Sequence, residues 1–336
     1  MKLSRRKLLV SASVAPFLTA TSARAEPLKI RTSYVVPVTN WAPMIVAKKE
    51  LAKHWGKSYV MEADRYQGTP PMITALANGE LEIADLAYST LGIAIQNAGI
   101  SDLRVVAEEV EDGVPGYYSN QLFVRKDSRI NKIEDLKGKI LATNAIGSGI
   151  DIAVKAALKK HGLLDKRDYT VLEAPFPAMA AMLKEKKVDL APGVPPFSFN
   201  PFFQNECNVL FDQTAGIGRS QFAFWAMREP FIQKNHAALV DFFEDVIRIE
   251  RWYLDPKNHD EVEAIASGFL HMPPDRFGWV FRKKTDYYRD PNARPDLEAL
   301  QHNVDTAADL GFFKSSFEVK KYSDLSLVDE AVARLN

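Results

Sequence analysis

The chain has 336 residues, 43 basic and 43 acidic side chains, and a hydrophobic content of 46%. This is the make-up of an ordinary globular protein rather than a membrane-embedded or disordered one, and the balanced charge offers no basic surface for nucleic acid. A single cysteine, Cys207, excludes an internal disulfide and reads as a small buried hydrophobe; with six scattered histidines it gives no metal-ligand spacing, so no metal or cofactor is expected.

The first residues read as an export signal. Lys2, Arg5, Arg6 and Lys7 precede an apolar stretch from Leu8 to Ala20, too short to span a bilayer, and Ala23-Arg24-Ala25 has small residues where a signal peptidase reads. Residues 1–25 are therefore expected to be removed and the protein to reach the periplasm. Ser4-Arg5-Arg6-Lys7-Leu8-Leu9 resembles a twin-arginine signal, which leaves the Tat and Sec routes both open.

The remainder is too long for one simple core and suits two lobes. Leu28 to Tyr34 is the first expected strand; the prolines at 37 and 43 make the next stretch irregular before a helix from about Pro43 to His54. Tyr59 to Ala63 is a second strand. Thr69 is placed to cap a helix that begins on Pro70-Pro71 and stops at Gly79. Leu81 to Ala87 reads as a buried strand, and Tyr88-Ser89-Thr90 opens another helix.

A new block begins near Asn120, with strands at Gln121 to Arg125 and Ile140 to Thr143. Gly147-Ser148-Gly149 then starts a helix that ends at Gly162. Val171 to Ala174 and Val188 to Ala191 are further strands, separated by a helix from Pro177 to Lys186. The pattern restarts after Val209-Leu210-Phe211 with the apolar run Phe222 to Met227 and long helices such as Phe231 to Tyr253. Strands alternating with helices predict an α/β fold whose sheets are mainly parallel.

Three stretches carry a resemblance: Ala75 to Ala84 with Asn78-Gly79 at its centre; Val124 to Ser128 with Asp135 to Lys139 and then Gly147-Ser148; and Met179 to Leu190. In this order and spacing the chain resembles the nitrate/sulfonate/taurine family of ABC-importer substrate-binding proteins. It departs from the family pattern at Glu82, where aspartate is usual, and at Lys186-Lys187, where glycine is usual. The resemblance implies the two-lobed periplasmic binding protein fold of type II, each lobe a mixed, mainly parallel sheet flanked by helices, with the ligand in the cleft between them. Mapped onto this chain, lobe one comprises 27–118 plus 213–336 and lobe two 119–212. It implies a monomer that delivers a small molecule to a membrane permease and its ATPase.

Ligands of such sheets sit beyond the carboxyl ends of the strands, where helix N-termini offer unpaired N–H groups to an anion. On that rule the candidate ligand residues are Asn40 and Trp41 after the first strand, Tyr88, Ser89 and Thr90 after the third, and Gly147 and Ser148 in lobe two. Pro196 and Phe197 join them because the resemblance turns their loop to the cleft. Each has a plainer reading: Ser89 and Thr90 as helix caps, Trp41 as core, Pro195-Pro196-Phe197 as a rigid turn, and Ser148 as a cap to Asp151. Aromatic walls at Trp41, Tyr88 and Phe197 favour an organic ligand, a small anion or zwitterion, with an aliphatic sulfonate or taurine first, then an aromatic carboxylate or nitrate-like ion, and a thiamine-precursor pyrimidine last. Thiamine-pyrimidine synthases share this fold, but a chain with Cys207 alone lacks their cysteine-rich motif, so no enzyme is expected. Sensor domains of transcription factors also share it, yet need a DNA-binding element that the export signal replaces.

Overall fold

The computed structural model describes residues 26–278, 280 and 284–336; the expected export signal lies outside them. Among the described residues, ten strands form four hydrogen-bonded groups, which single bridges join into two sheets. The first contains β1 (Leu28–Tyr34), β2 (Tyr59–Arg65), β3 (Ala84–Leu86), β4 (Leu103–Asp112) and β10 (Ser220–Arg228). β1 and β2 pair in parallel from Leu28↔Tyr59 to Tyr34↔Arg65, a parallel bridge at Thr32↔Ile83 brings β3 alongside β1, and β10 runs antiparallel between β3 and β4. The order is β2-β1-β3-β10-β4.

The second sheet contains β5 (Gln121–Arg125), β6 (Ile140–Thr143), β7 (Thr170–Glu173), β8 (Ala191–Gly193) and β9 (Cys207–Asp212). β6 and β7 are parallel, the bridge Leu141↔Leu190 joins β8 to β6, and β5 runs antiparallel between β8 and β9. Its order, β7-β6-β8-β5-β9, repeats that of the first. The chain passes from one sheet to the other between β4 and β5 and returns between β9 and β10, so the fold is α/β and two-lobed.

Local chemistry explains most boundaries. Gly79 and Gly162 end their helices with φ of +70° and +79°, a conformation that only glycine adopts without a side-chain penalty. Helix Glu229–Leu254 repeats apolar residues at three- and four-residue spacing and buries Leu239, Phe242, Phe243, Val246 and Ile249 against lobe one. Two expectations need correction. The helix after β1 is shorter than expected, Trp41–Ala47, followed by a separate turn at Lys49–Leu51. Thr69 has helical torsions and its hydroxyl makes no cap bond.

β4 is a strand that composition conceals. Glu108, Glu109, Glu111 and Asp112 crowd its second half, yet all are buried. Each meets donors. Glu108 accepts the Asp290 N–H at 3.0 Å and Glu111 pairs with Arg219. Asp112 accepts Ser119 Oγ at 2.7 Å and the Asn120 N–H at 2.8 Å. Buried acids survive in a core only with such partners or with a proton.

Candidate functional site

The carboxyl ends of β1, β2 and β3 face those of β6, β7 and β8 across the cleft. Between them lies a cavity of about 50 Å3, and every one of these six strand ends contributes to it. Lobe one supplies Thr39 and Asn40 after β1, Thr69 after β2, Asp85 from β3, and Phe222 from β10. Lobe two supplies Asn144 and Ser148 to Ile150 after β6, Phe176 after β7 and Val194 after β8. The wall presents almost entirely carbon, and among the described residues no lysine, arginine, histidine or cysteine lines it.

The lobes are clasped around this space. Ser89 Oγ donates to the Gly147 carbonyl at 2.9 Å, and the Tyr88 hydroxyl to the Gly149 carbonyl. Thr39 Oγ1 reaches the Pro195 carbonyl at 3.0 Å, while Gln67 Nε2 gives 2.8 Å to the Asn144 carbonyl and Asn144 Nδ2 returns 3.2 Å to that of Gln67. The backbones approach closely. A Cβ on Gly149 would stand 3.0 Å from Phe222 Cε2 and 3.1 Å from Ala87 Cβ, and one on Gly68 only 2.6 Å from Ala145 Cβ.

The helix Gly149–Lys160 begins at the cavity. Ser148 caps it by accepting the Asp151 N–H and donates to Asn144 Oδ1 at 2.9 Å, so its hydroxyl is engaged. Asp151 takes the Gly147 N–H and Lys155 Nζ, both at 2.8 Å, and its charge is balanced within the helix. Among the described residues, the Gly149 and Ile150 N–H groups have no acceptor, as expected of a first turn.

Of the nine residues singled out in the sequence, Asn40 and Ser148 line the cavity. Tyr88 and Ser89 sit beside it as clasp donors, and Gly147 as an acceptor. Thr90 turns inward to cap its own helix through Ala87. Trp41 is 1% exposed in the lobe-one core, edge-on to Tyr253 and under the Arg289 guanidinium, and is not part of the wall. Pro196, after a cis Pro195–Pro196 bond, is buried, and Phe197 packs on the lobe-two core. The aromatic wall comes instead from Phe176, Phe222 and Tyr287.

Two further residues stand out. Thr69 Oγ1 is buried at the cavity with no hydrogen-bond partner. Asp85 is 1% exposed, and its Oδ1 receives no donor. Behind it lies Glu109, which accepts Asn40 Nδ2 at 2.7 Å and the Trp41 N–H at 3.0 Å. Burial and the charge of Glu109 hold the Asp85 carboxyl well above the usual range. Burial also raises Glu109, against hydrogen bonds from its Asp85, Trp41 and Asn40 partners that lower it. An acid inside the apolar stretch Ile83 to Tyr88 is the sequence signal that could have marked this position.

Cys207 lies on β9, buried away from the cavity, its thiol pushed up to about 11 by burial. On helix His259–Leu270, His259, Asp260 and Glu263 come together at the protein surface, where the histidine faces both acids at 3.5–3.7 Å. Among the described residues, no helix is long and apolar enough to cross a membrane.

A family model described as the NMT1-like family matches residues 24–267. No curated protein matches the chain. Several solved structures do. The alkanesulfonate-binding protein SsuA from Xanthomonas axonopodis pv. citri, bound to MOPS, aligns with a TM-score of 0.69 at 16% identity, covering 90% of this chain and 100% of that one. The periplasmic nitrate-binding protein NrtA from Synechocystis PCC 6803 aligns at 0.70 and 15%, covering 93% and 90%. The desulfurization enzyme DSZB aligns at 0.64 and 12%, covering 92% and 100%. At these identities the likeness is one of fold, and the fold is that of two-lobed periplasmic binding proteins.

Proposed function

The chain belongs to the NMT1-like family, and from that premise we propose that it is a periplasmic solute-binding protein of an ABC importer. It acts as a monomer, closes on a small organic acid, with an aliphatic sulfonate favoured, and hands it to a membrane permease and ATPase. The bodies that close are residues 27–118 with 213–336, and 119–212, turning about the two crossings between the sheets.

The observation that carries this reading is the carbon-walled cavity at six strand ends, clasped by bonds between the lobes. A space between two lobes widens as they part, which is how a carrier captures a solute and later releases it. The unengaged Gly149 and Ile150 N–H groups at a helix start suit an acid's oxygens, whereas a bare nitrate would leave most of the wall unmatched.

Titration calorimetry of the chain from residue 26 onward, against ethanesulfonate, taurine, nitrate and benzoate, tests the reading. Saturable micromolar binding of a sulfonate is expected. If none of the four binds, the assignment to this solute class fails.

A further inference from the structure

The two sides of the cavity are chemically unlike. Lobe two offers the start of a helix, with partial positive charge and unengaged N–H groups. Lobe one offers the Asp85–Glu109 carboxyl pair. Glu109 is held by two neutral donors, and among the described residues neither carboxyl forms an ion pair with an arginine or lysine. The nearby buried cation, Arg289, bonds to Asp286 at 2.8 Å and stacks over Trp41 and Tyr253. Two buried carboxyls side by side without a cation from the protein are a costly arrangement unless something else supplies one. Thr69, with its own unpartnered hydroxyl, lines the same space.

We propose that Asp85, backed by Glu109, is the subsite for a positively charged nitrogen of the ligand. The solute is then a small zwitterion, its ammonium on Asp85 and its acid group at the start of helix Gly149–Lys160. This rests on the cleft-binding reading above and narrows it. An ammonium with three N–H donors satisfies the Asp85 carboxyl and reaches a second acceptor such as the Thr69 hydroxyl, and its charge offsets that of the pair. A bare sulfonate or carboxylate would instead bring a negative charge to a carboxyl pair that has no cation beside it. Any proton held on Asp85 leaves to solvent as the ammonium enters, so that the Asp85 carboxylate meets the cation directly.

The test compares ligands that differ only in the nitrogen: taurine against ethanesulfonate, and β-alanine against propionate, by calorimetry on the wild type and on Asp85→Asn. Asparagine keeps the size of the side chain and a donor for Glu109 while removing the carboxyl that would meet the ammonium. The wild type should bind the amino member of a pair at least tenfold more tightly, and the variant should lose that preference. Equal or tighter binding of the nitrogen-free member overturns this inference and leaves the cleft-binding reading standing. A preference that persists in Asp85→Asn overturns it as well. No binding by any of the four overturns both readings. The wild-type comparison alone decides the matter if the variant does not fold.

Discussion

The two lobes are built on one plan and finished differently. In each, three parallel strands aim their carboxyl ends at the cleft, an antiparallel strand from across the crossing comes next, and a final strand closes the edge. The final strand of lobe one is β4, with four buried acids; its counterpart in lobe two is β9, half-exposed, with the lone cysteine at its start. Lobe one thus brings side-chain charge to the cavity through Asp85 and Glu109, and lobe two brings mainly backbone, from Gly147 to Ile150. On the zwitterion proposal, one topology divides the work: a lobe that discriminates by charge, and one that accepts by main-chain geometry.

The largest expected effect comes from blocking the backbone side. Gly149→Phe places a ring where even a Cβ meets Phe222 and Ala87 at 3.0–3.1 Å. Calorimetry should show affinity for any cleft ligand falling by about 100-fold or more. The circular dichroism spectrum and melting point should stay near wild type, because the parted lobes can house the ring.

Next is the acid strand. Burial pushes Asp112 up to about 7, against about 4 in an unfolded chain. The folded state therefore favours the protonated form. Stability from this group is full below about pH 4, falls as pH climbs toward about 7, and is level above that. Denaturant midpoints across this range should fall more steeply for the wild type than for Asp112→Asn, by a few kcal/mol in total; parallel profiles would show that Asp112 is charged throughout.

A smaller effect is expected at Thr69→Val, which removes a hydroxyl that bonds to nothing in the protein. Melting should be unchanged or slightly raised, while ligand affinity drops by roughly 1 kcal/mol. If stability falls instead, the hydroxyl has a structural partner. The smallest effect tests lobe two's edge. With its thiol held near 11, Cys207 should react with a maleimide at pH 7 only slowly, and rapidly once urea unfolds the chain.

Much of this division was hidden in the sequence. β1, β2, β5 and β6 are legible because apolar runs meet clear turn signals, and Gly79 and Gly162 mark helix ends. β4 is not, because Glu108-Glu109 and Glu111-Asp112 read as a solvated stretch, and only the fold brings Asn40, Arg219 and Asn120 to meet them. The turns after β1, β3 and β6 all border the cavity, since parallel strands all end at the cleft. Which side chains line the space is another matter. Thr90 and Ser148 carry the right chemistry but use it on neighbouring groups, and Trp41 is drawn into the core by Tyr253 and Arg289. Phe222 and Tyr287 reach the wall from distant parts of the chain, which no local spacing announces.

The clasp has a further consequence. Thr39, Gln67, Tyr88 and Ser89 all donate to main-chain carbonyls of the opposite lobe, and the return bond from Asn144 also ends on a carbonyl. No substitution on the accepting side removes such an oxygen. The grip between the lobes is therefore insensitive to most side-chain changes on the receiving face, while Asp85, Thr69 and Phe176 take no part in it. Appetite and grip are written in different atoms, so a lineage could change what this protein carries without relearning how to hold it.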